Sequence, residues 1–182
     1  MGVAGYEHFL ALARRAQWDE NDVELTLGGW DDDLRQLLAN LCLAETAVAE
    51  ELDPILAAAP PEARPCFEAQ QRDERRHARF FARYARAVGI GEPDAEWVDL
   101  FAVQLPAVAR SGSLTDAVGL YHMVLEGAVL TRALHTLVDA GVSGAELVLR
   151  DERWHVGFGV RVLRDLGVPE RAILADLAAL RR

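Results

Sequence analysis

DERRH at residues 73–77 recurs in almost the same form as DERWH at residues 151–155. Each copy is an Asp-Glu-x-x-His motif, in which the glutamate precedes the histidine by three residues. Residues three apart on an α-helix lie on the same face. In two places, therefore, the chain directs a carboxylate and an imidazole to the same side of a predicted helix. Both groups are common metal ligands.

The composition predicts a soluble, all-α protein. The chain has 182 residues, of which 51% are hydrophobic and 7% aromatic, and its abundant alanine and leucine favour helices over strands. A formal net charge of −10 argues against a nucleic-acid partner. We expect no membrane span, no signal peptide and a cytoplasmic location. We expect the two cysteines, Cys42 and Cys66, to be buried and free of disulfide bonds.

Hydrophobic residues three and four positions apart predict long helices over residues 32–58, 62–88, 115–140 and 144–166. Shorter helical patterns flank these segments at 4–17, 95–109 and 169–181. Helices of this number and length are typical of a four-helix bundle. The connection over residues 89–114 would then join the second long helix to the third.

Polar residues occupy apolar positions within all four long helices. They are Glu45, Glu74, His77, Glu126, Glu152 and His155. Burial of an isolated carboxylate costs several kcal/mol, and the helical period predicts that the nearby Arg75, Arg76 and Arg153 lie on other faces. Two divalent cations would balance the four carboxylates. One glutamate from each of two helices and Glu-x-x-His from each of the other two form the di-metal carboxylate pattern of helical bundles. Oxygen donors with one imidazole per metal favour iron or manganese.

Three further polar residues lie next to these predicted ligands. A ligating imidazole usually donates its other N–H to a carboxylate, so we expect Asp73 to pair with His155 and Asp151 with His77. His122 lies one turn before Glu126. It is either a partner of a ligand or an ordinary core histidine.

Four segments resemble the ligand-bearing helices of the ferritin-like superfamily, and within it the ribonucleotide reductase small-subunit group. They are CLAETAVAEELDPIL (42–56), DERRHARFFARYARAVGI (73–90), LYHMVLEGAVLTRALH (120–135) and RDERWHVGFGVRVL (150–163). The resemblance implies a single ferritin-like domain over residues 1–182 with a metal-binding core at about 32–167. It also implies that the six inward residues are the metal ligands.

Within this group the chain is most similar to the R2-like ligand-binding oxidases. Reductase subunits that carry a radical usually have tyrosine four residues after the first ligating histidine, whereas this chain has Phe81 and ends at Arg182 without a docking tail. The oxidases have phenylalanine there, and Val48 and Tyr121 match two of their further positions. The resemblance implies an Fe/Fe or Mn/Fe cofactor, an ether cross-link between Val48 and Tyr121, and a fatty-acid-like ligand in an apolar channel. Val48 and Tyr121 are equally consistent with ordinary core residues.

The sequence thus predicts a non-haem di-metal oxidase or oxygenase that uses dioxygen and acts on a small, apolar organic substrate. Phe81, Val48 and Tyr121 would form the apolar wall of the site. The electron donor is unknown, and we expect a homodimer. The alternatives are a ferroxidase or iron-storage protein, a metal-stabilised partner subunit without catalytic activity and, less in keeping with Phe81, a reductase small subunit.

Overall fold

Helices account for most of the structure, a computed structural model that describes residues 5–169. Three are continuous α-helices that precede residue 90: α1 (Tyr6–Arg15), α2 (Asp32–Ala58) and α3 (Arg64–Val88). The next two are composite. Helix α4 (95–111) has α-helical parts at Ala95–Val98 and Leu105–Ser111, separated by a π-helical turn at Asp99–Gln104. Helix α5 (114–139) has α-helical parts at Leu114–Val118 and Thr131–Asp139, separated by a π-helical stretch at Gly119–Leu130. The last described helix is α6 (Ala145–Asp165). The described residues contain no strand, which confirms the predicted all-α class.

Residues that favour helix ends define several of these boundaries. The side chain of Asp31 accepts a hydrogen bond from the Leu34 N–H at 2.9 Å and caps the start of α2. Ser113 and Asp116 form a capping box at the start of α5. Gly89 ends α3 with a φ of 75°, a conformation that glycine adopts without steric cost.

The four long helices α2, α3, α5 and α6 form the bundle, arranged as two antiparallel pairs. In the first pair, Gln71 of α3 donates to Asp53 of α2 at 2.7 Å, whereas the opposite end of α3 meets Arg35 through the Val88 carbonyl. In the second pair, Gly159 of α6 packs against His122 of α5. Helix α1 lies across α3 and α6, and α4 packs along α2. This arrangement brings one face of each long helix to a shared interior.

The interior is apolar except at the level of the Asp-Glu-x-x-His motifs. Leu38, Leu41, Leu52 and Ile55 of α2 are buried as their spacing predicts, and Phe67 of α3 packs edge-on against Phe158 of α6 with ring centroids 4.7 Å apart. Aromatic and aliphatic side chains therefore surround a polar layer on both sides. None of the described helices is both long and apolar enough to cross a membrane.

The observed boundaries agree with the predicted ones to within two residues at every long helix. The short pattern at 4–17 becomes α1, and the pattern at 95–109 becomes α4. The π-helical stretches were not predicted, because the change from i→i+4 to i→i+5 hydrogen bonds has no residue signal comparable to a helix cap or a proline. The predicted helix at 169–181 lies outside the described residues.

Substitution of Gly159 by alanine tests the close packing of α5 against α6. A Cβ atom at this position would overlap the side chain of His122, which is fully buried and held between two hydrogen-bond partners. Although alanine is the better helix former by about 1 kcal/mol, overpacking of a core costs about 1–3 kcal/mol. We expect Gly159→Ala to lower the midpoint of thermal unfolding measured by circular dichroism.

Gly119→Ala is the matched control, because Gly119 also lies within a helix and no atom would lie within 4 Å of its added Cβ. This variant should be as stable as the original chain or slightly more stable. Equal stability of both variants would contradict the close contact between α5 and α6.

Candidate metal centre

All six predicted ligands meet in the interior of the bundle. Helix α2 contributes Glu45, helix α3 contributes Glu74 and His77, helix α5 contributes Glu126, and helix α6 contributes Glu152 and His155. None of these side chains has any exposed surface. They form two overlapping groups, and within each group the potential ligand atoms lie within 4.8 Å of one another. Glu74 and Glu152 belong to both groups.

The first group surrounds one nitrogen of His77. Its Nδ1 atom lies 3.3 Å from Glu74 Oε2, 3.3 Å from Glu152 Oε1 and 3.5 Å from Glu45 Oε2. Three carboxylate oxygens and one imidazole nitrogen therefore face a common point. This donor set fits a metal ion of the iron or manganese type.

The second group surrounds His155 in a closely similar way. The Nδ1 atom of His155 lies 3.0 Å from Glu74 Oε1, 3.4 Å from Glu152 Oε2 and 3.6 Å from Glu126 Oε1. Glu74 and Glu152 thus direct one oxygen to each half of the site. Glu45 and Glu126 each belong to one half only. A pair of cations would be held by Glu74 and Glu152 from both halves and by Glu45 and Glu126 from one half each.

Many of these atoms have no hydrogen-bond partner among the described residues. They include both carboxylate oxygens of Glu45, Oε2 of Glu74, Oε2 of Glu126, Oε1 of Glu152 and Nδ1 of His77. Each buried polar atom without a partner costs about 1–3 kcal/mol, and a charged one costs more. Because the unpartnered atoms are all acceptors or potential ligands, two metal ions would satisfy them at once. The residues present therefore fit a di-metal cofactor.

The electrostatics of the cluster show how strongly it attracts positive charge. Burial raises the pKa of Glu45 to about 8 and raises the pKa of Glu126 well above its usual value. Burial also opposes ionisation of Glu74, but the charges of His155 and His77 outweigh it and hold the Glu74 pKa well below normal. The carboxylates in turn overcome the effect of burial on both imidazoles and raise the pKa of His77 and His155. In the absence of metal, protons supply the positive charge that cations would bring.

Asp73 and Asp151 lie behind the two imidazoles, on the side away from the glutamates. The Nε2 atom of His77 lies 3.3 Å from Asp151 Oδ2, and the Nε2 atom of His155 lies 3.6 Å from Asp73 Oδ2. The first distance is within hydrogen-bonding range and the second is slightly beyond it. The ring orientation is the same in both halves, with Nδ1 towards the glutamates and Nε2 towards an aspartate.

Arg76 lies on a face of α3 next to that of Glu74 and His77, and this neighbouring face is buried as well. Arg76 is buried, and its Nη2 atom lies 2.7 Å from Asp73 Oδ1 and 2.9 Å from Asp151 Oδ2. Arg76 follows Asp73 by three residues, so the two share a helix face. Its charge compensates the two aspartates but makes no contact with the four glutamates among the described ion pairs. Arg75 and Arg153 are exposed, in agreement with the prediction that they lie on other faces of their helices.

Sequence analysis missed two residues that hold the predicted ligands in place. Trp18 donates from Nε1 to Asp151 Oδ2 at 2.7 Å and stacks against His77 with ring centroids 6.2 Å apart. Gln70 donates from Nε2 to Glu126 Oε1 at 2.7 Å. Gln70 could have been found, because it precedes Glu74 by one helical turn on the same face. Trp18 could not, because it follows α1 in a segment without periodic pattern.

His122 is part of this network. It is fully buried; its Nε2 lies 3.0 Å from Gln70 Oε1 and its Nδ1 lies 3.2 Å from the Val118 carbonyl. Burial lowers its pKa to about 3, so the ring is neutral at physiological pH. Gln70 therefore links His122 to the predicted ligand Glu126. His122 itself belongs to neither group of potential ligand atoms.

No protein-family model matches the chain, and no curated protein sequence is significantly similar to it. Solved structures of R2-like ligand-binding oxidases match it closely in three dimensions. One, with an aerobically reconstituted Mn/Fe cofactor after a long soak, gives a TM-score of 0.75 at 18% identity over 96% of this chain and 73% of that one. Two variants of such an oxidase, also with an aerobically reconstituted Mn/Fe cofactor, give TM-scores of 0.76 and 0.74 at 18% and 19% identity. They too align with 96% of this chain, and the alignments span 74% and 81% of their own chains.

The chain has the fold of the R2-like ligand-binding oxidases. The resemblance predicted from four helical segments is thereby confirmed at the level of the fold.

In this oxidase-like fold, Val48, Phe81 and Tyr121 are all fully buried. The hydroxyl of Tyr121 donates to the backbone carbonyl of Val48 at 3.2 Å. Burial, with the nearby glutamates, raises the pKa of Tyr121 well above its usual value, so the phenol keeps its proton. Phe81 follows His77 by one helical turn. These side chains make the surroundings of the carboxylate cluster largely apolar.

Replacement of one terminal carboxylate tests the predicted ligand set. We expect Glu126→Ala to bind at most one metal ion per chain where the original chain binds two, because the half of the site at His155 loses one of its carboxylates. The measurement is elemental analysis after anaerobic loading with Fe(II) or Mn(II) and removal of free metal. Glu146→Ala, which removes an exposed glutamate of α6, is the control and should keep both ions. Unchanged stoichiometry in Glu126→Ala would rule out Glu126 as a ligand.

Proposed function

We propose that this protein is a di-metal oxidase or oxygenase that activates dioxygen and oxidises a small, apolar organic molecule. The observation that carries the proposal is the pair of half-sites, each built on one histidine and joined by Glu74 and Glu152. The fold adds support, because structures of the same fold hold a Mn/Fe cofactor. A resident pair of iron ions, or of manganese and iron, would supply the electrons for reduction of dioxygen.

The protein side chains would position and insulate this chemistry. Carboxylates tolerate changes in cation charge because each has two oxygens that can bridge or bind terminally. Gln70 holds Glu126 by a hydrogen bond of 2.7 Å, and Asp151 lies 3.3 Å from the outer nitrogen of His77. Partners of this kind orient ligands and typically affect metal affinity or activity by roughly 10–100-fold.

The apolar surroundings would exclude water from the reacting centre. Val48, Phe81 and Tyr121 have no exposed surface, and a water-poor site protects a strong oxidant from side reactions. A cavity of about 410 Å³ lies between α2, α4 and α5 and is lined mainly by apolar residues such as Leu37, Trp97 and Val129, with none of the six predicted ligands among its described lining residues. Its volume and lining are those of a site for a small organic molecule. These features support an apolar substrate.

Oxygen consumption tests the proposed activity. Metal-loaded protein that is supplied with a reductant should consume dioxygen. Glu126→Ala should lower the rate of consumption by more than about 100-fold, because loss of a residue that only orients a metal ligand already lowers activity by roughly 10–100-fold. Glu146→Ala should retain the original rate. An oxygen electrode provides the measurement, together with mass spectrometry of candidate substrates incubated with ¹⁸O₂.

The outcome also separates the proposal from iron handling. A ferroxidase would consume dioxygen in proportion to added Fe(II), release or store ferric iron, and oxidise no organic compound. Lack of oxygen consumption by protein that retains both metal ions would contradict both functions and leave a structural role for the metals.

We also propose that Val48 and Tyr121 become covalently linked, as the resemblance to the oxidases implies. The bond would form between the Tyr121 oxygen and a carbon of the Val48 side chain. The O–H and C–H bonds would break, and dioxygen would accept the two electrons and two protons. The contact of the Tyr121 hydroxyl with the Val48 carbonyl at 3.2 Å supports this pairing.

Mass spectrometry of the intact chain tests the cross-link. After aerobic loading with metal, the mass of the chain should fall by that of two hydrogen atoms, and digestion should yield one joined peptide that contains both residues. Tyr121→Phe should show neither change. Separate, unmodified peptides from protein that consumes dioxygen would disprove the cross-link and leave the oxidase proposal intact.

A further inference from the structure

A cavity of about 340 Å³ lies between the end of α1 and the middle of α6, and no predicted metal ligand lines it. Its walls are formed by Leu12, Arg15, Ala16, Arg150, Arg153 and Trp154. This volume lies near the lower end of the range for small-molecule sites, roughly 300–1,000 Å³. The cavity is therefore large enough for a small metabolite.

The charge of this cavity is opposite to that of the whole chain. The chain has a formal net charge of −10, yet the described residues that line the cavity include three arginines and no carboxylate. Arg15 and Arg153 are exposed and make no hydrogen bond or ion pair with the described residues. Guanidinium groups without a partner are suited to bind a carboxylate or a phosphate through two parallel hydrogen bonds.

Arg150 forms a fixed edge of the cavity. Its Nη2 atom donates to the Ala16 carbonyl and lies 3.2 Å from Asp151 Oδ1. These contacts hold the end of α1 against α6. The cavity is thus part of the folded structure, and two of its three cations remain available for an occupant.

Trp154 contributes an apolar wall to the cavity. The indole is largely buried, with 4% of its surface exposed. A ligand with an anionic head group beside an aromatic or aliphatic body would match the two arginines and the apolar side chains of Trp154, Leu12 and Ala16.

We propose that this cavity binds a small organic anion, a carboxylate or phosphate ester with an apolar body. Its charged group pairs with Arg15 and Arg153, and its body packs against Trp154. This proposal is independent of the oxidase function, because it depends only on the lining of the cavity.

Isothermal titration calorimetry of the metal-loaded protein tests the site with defined probes. Sodium 4-phenylbutyrate and phenyl phosphate represent the two head groups, 4-phenylbutyramide is the neutral counterpart, and acetate is the head group alone. We expect one or both anionic aromatic probes to bind, and the amide and acetate to bind about tenfold more weakly or not at all. The stronger of the two anions identifies the preferred head group.

Substitution of single arginines locates the binding. Arg15→Gln and Arg153→Gln should each weaken binding of the anionic probe by about tenfold or more, because each removes a charge-assisted hydrogen bond. Arg14→Gln is the matched control, since Arg14 is exposed on α1 but does not line the cavity. It should leave affinity within about twofold. Unfolding midpoints recorded for all three variants verify that they are folded.

Three results would overturn the proposal. In the first, neither anionic aromatic probe binds the original chain. In the second, the amide binds as tightly as the anionic probes. In the third, Arg15→Gln and Arg153→Gln both bind the anionic probe with unchanged affinity. The last result would place any bound anion elsewhere, for example on the metal ions. None of these results bears on oxygen consumption, so the two proposals are separable.

Discussion

The structure depends on four carboxylates enclosed with two imidazoles in a helical interior from which water is excluded. Glu45, Glu74, Glu126 and Glu152 have no exposed surface, and a group of like charges at this depth is strongly unfavourable unless cations or protons neutralise it. Each long helix contributes at least one of these six side chains. The packing of the four helices therefore depends on how the charge at the centre is neutralised. Binding of two metal ions to the folded chain alone would therefore stabilise the whole bundle.

The backbone around Glu126 departs from regular α-helical geometry at the centre itself. Gly119–Leu130 is π-helical, and Thr131 donates from its hydroxyl to the Glu126 carbonyl at 2.6 Å, which gives one displaced carbonyl a partner. A π-helical turn is less favourable than an α-helical one and occurs mainly at functional sites. Here it shapes the segment that contains both Tyr121 and Glu126, so the irregular helical turns lie where the proposed chemistry would take place.

The sequence predicts the parts of the centre that follow helical periodicity. The apolar spacing gives the four long helices, and interruption of that spacing by charged residues gives all six members of the cluster. Periodicity does not reveal contacts made by side chains from irregular segments, and so Trp18 was missed. It also did not reveal that Arg76 is buried. Asp73 and Arg76, three residues apart, share a second buried face of α3 beside the face of Glu74 and His77. The π-helical stretch has no sequence signal comparable to a cap or a proline.

The charged residues at the centre form two layers, an inner one of four glutamates and an outer one of two aspartates with their arginine partners. In the outer layer, Asp73 and Asp151 contact Arg76 on one side, and Asp151 contacts Arg150 on the other. Two carboxylates and two guanidiniums thus balance without any metal, which explains why the aspartates can orient the imidazoles and need not bind a cation. The inner layer contains four glutamates and no arginine contact among the described ion pairs. Two divalent ions would bring that layer to neutrality too, so charge balance favours the proposal that the glutamates and histidines bind the metals and that the aspartates orient the imidazoles.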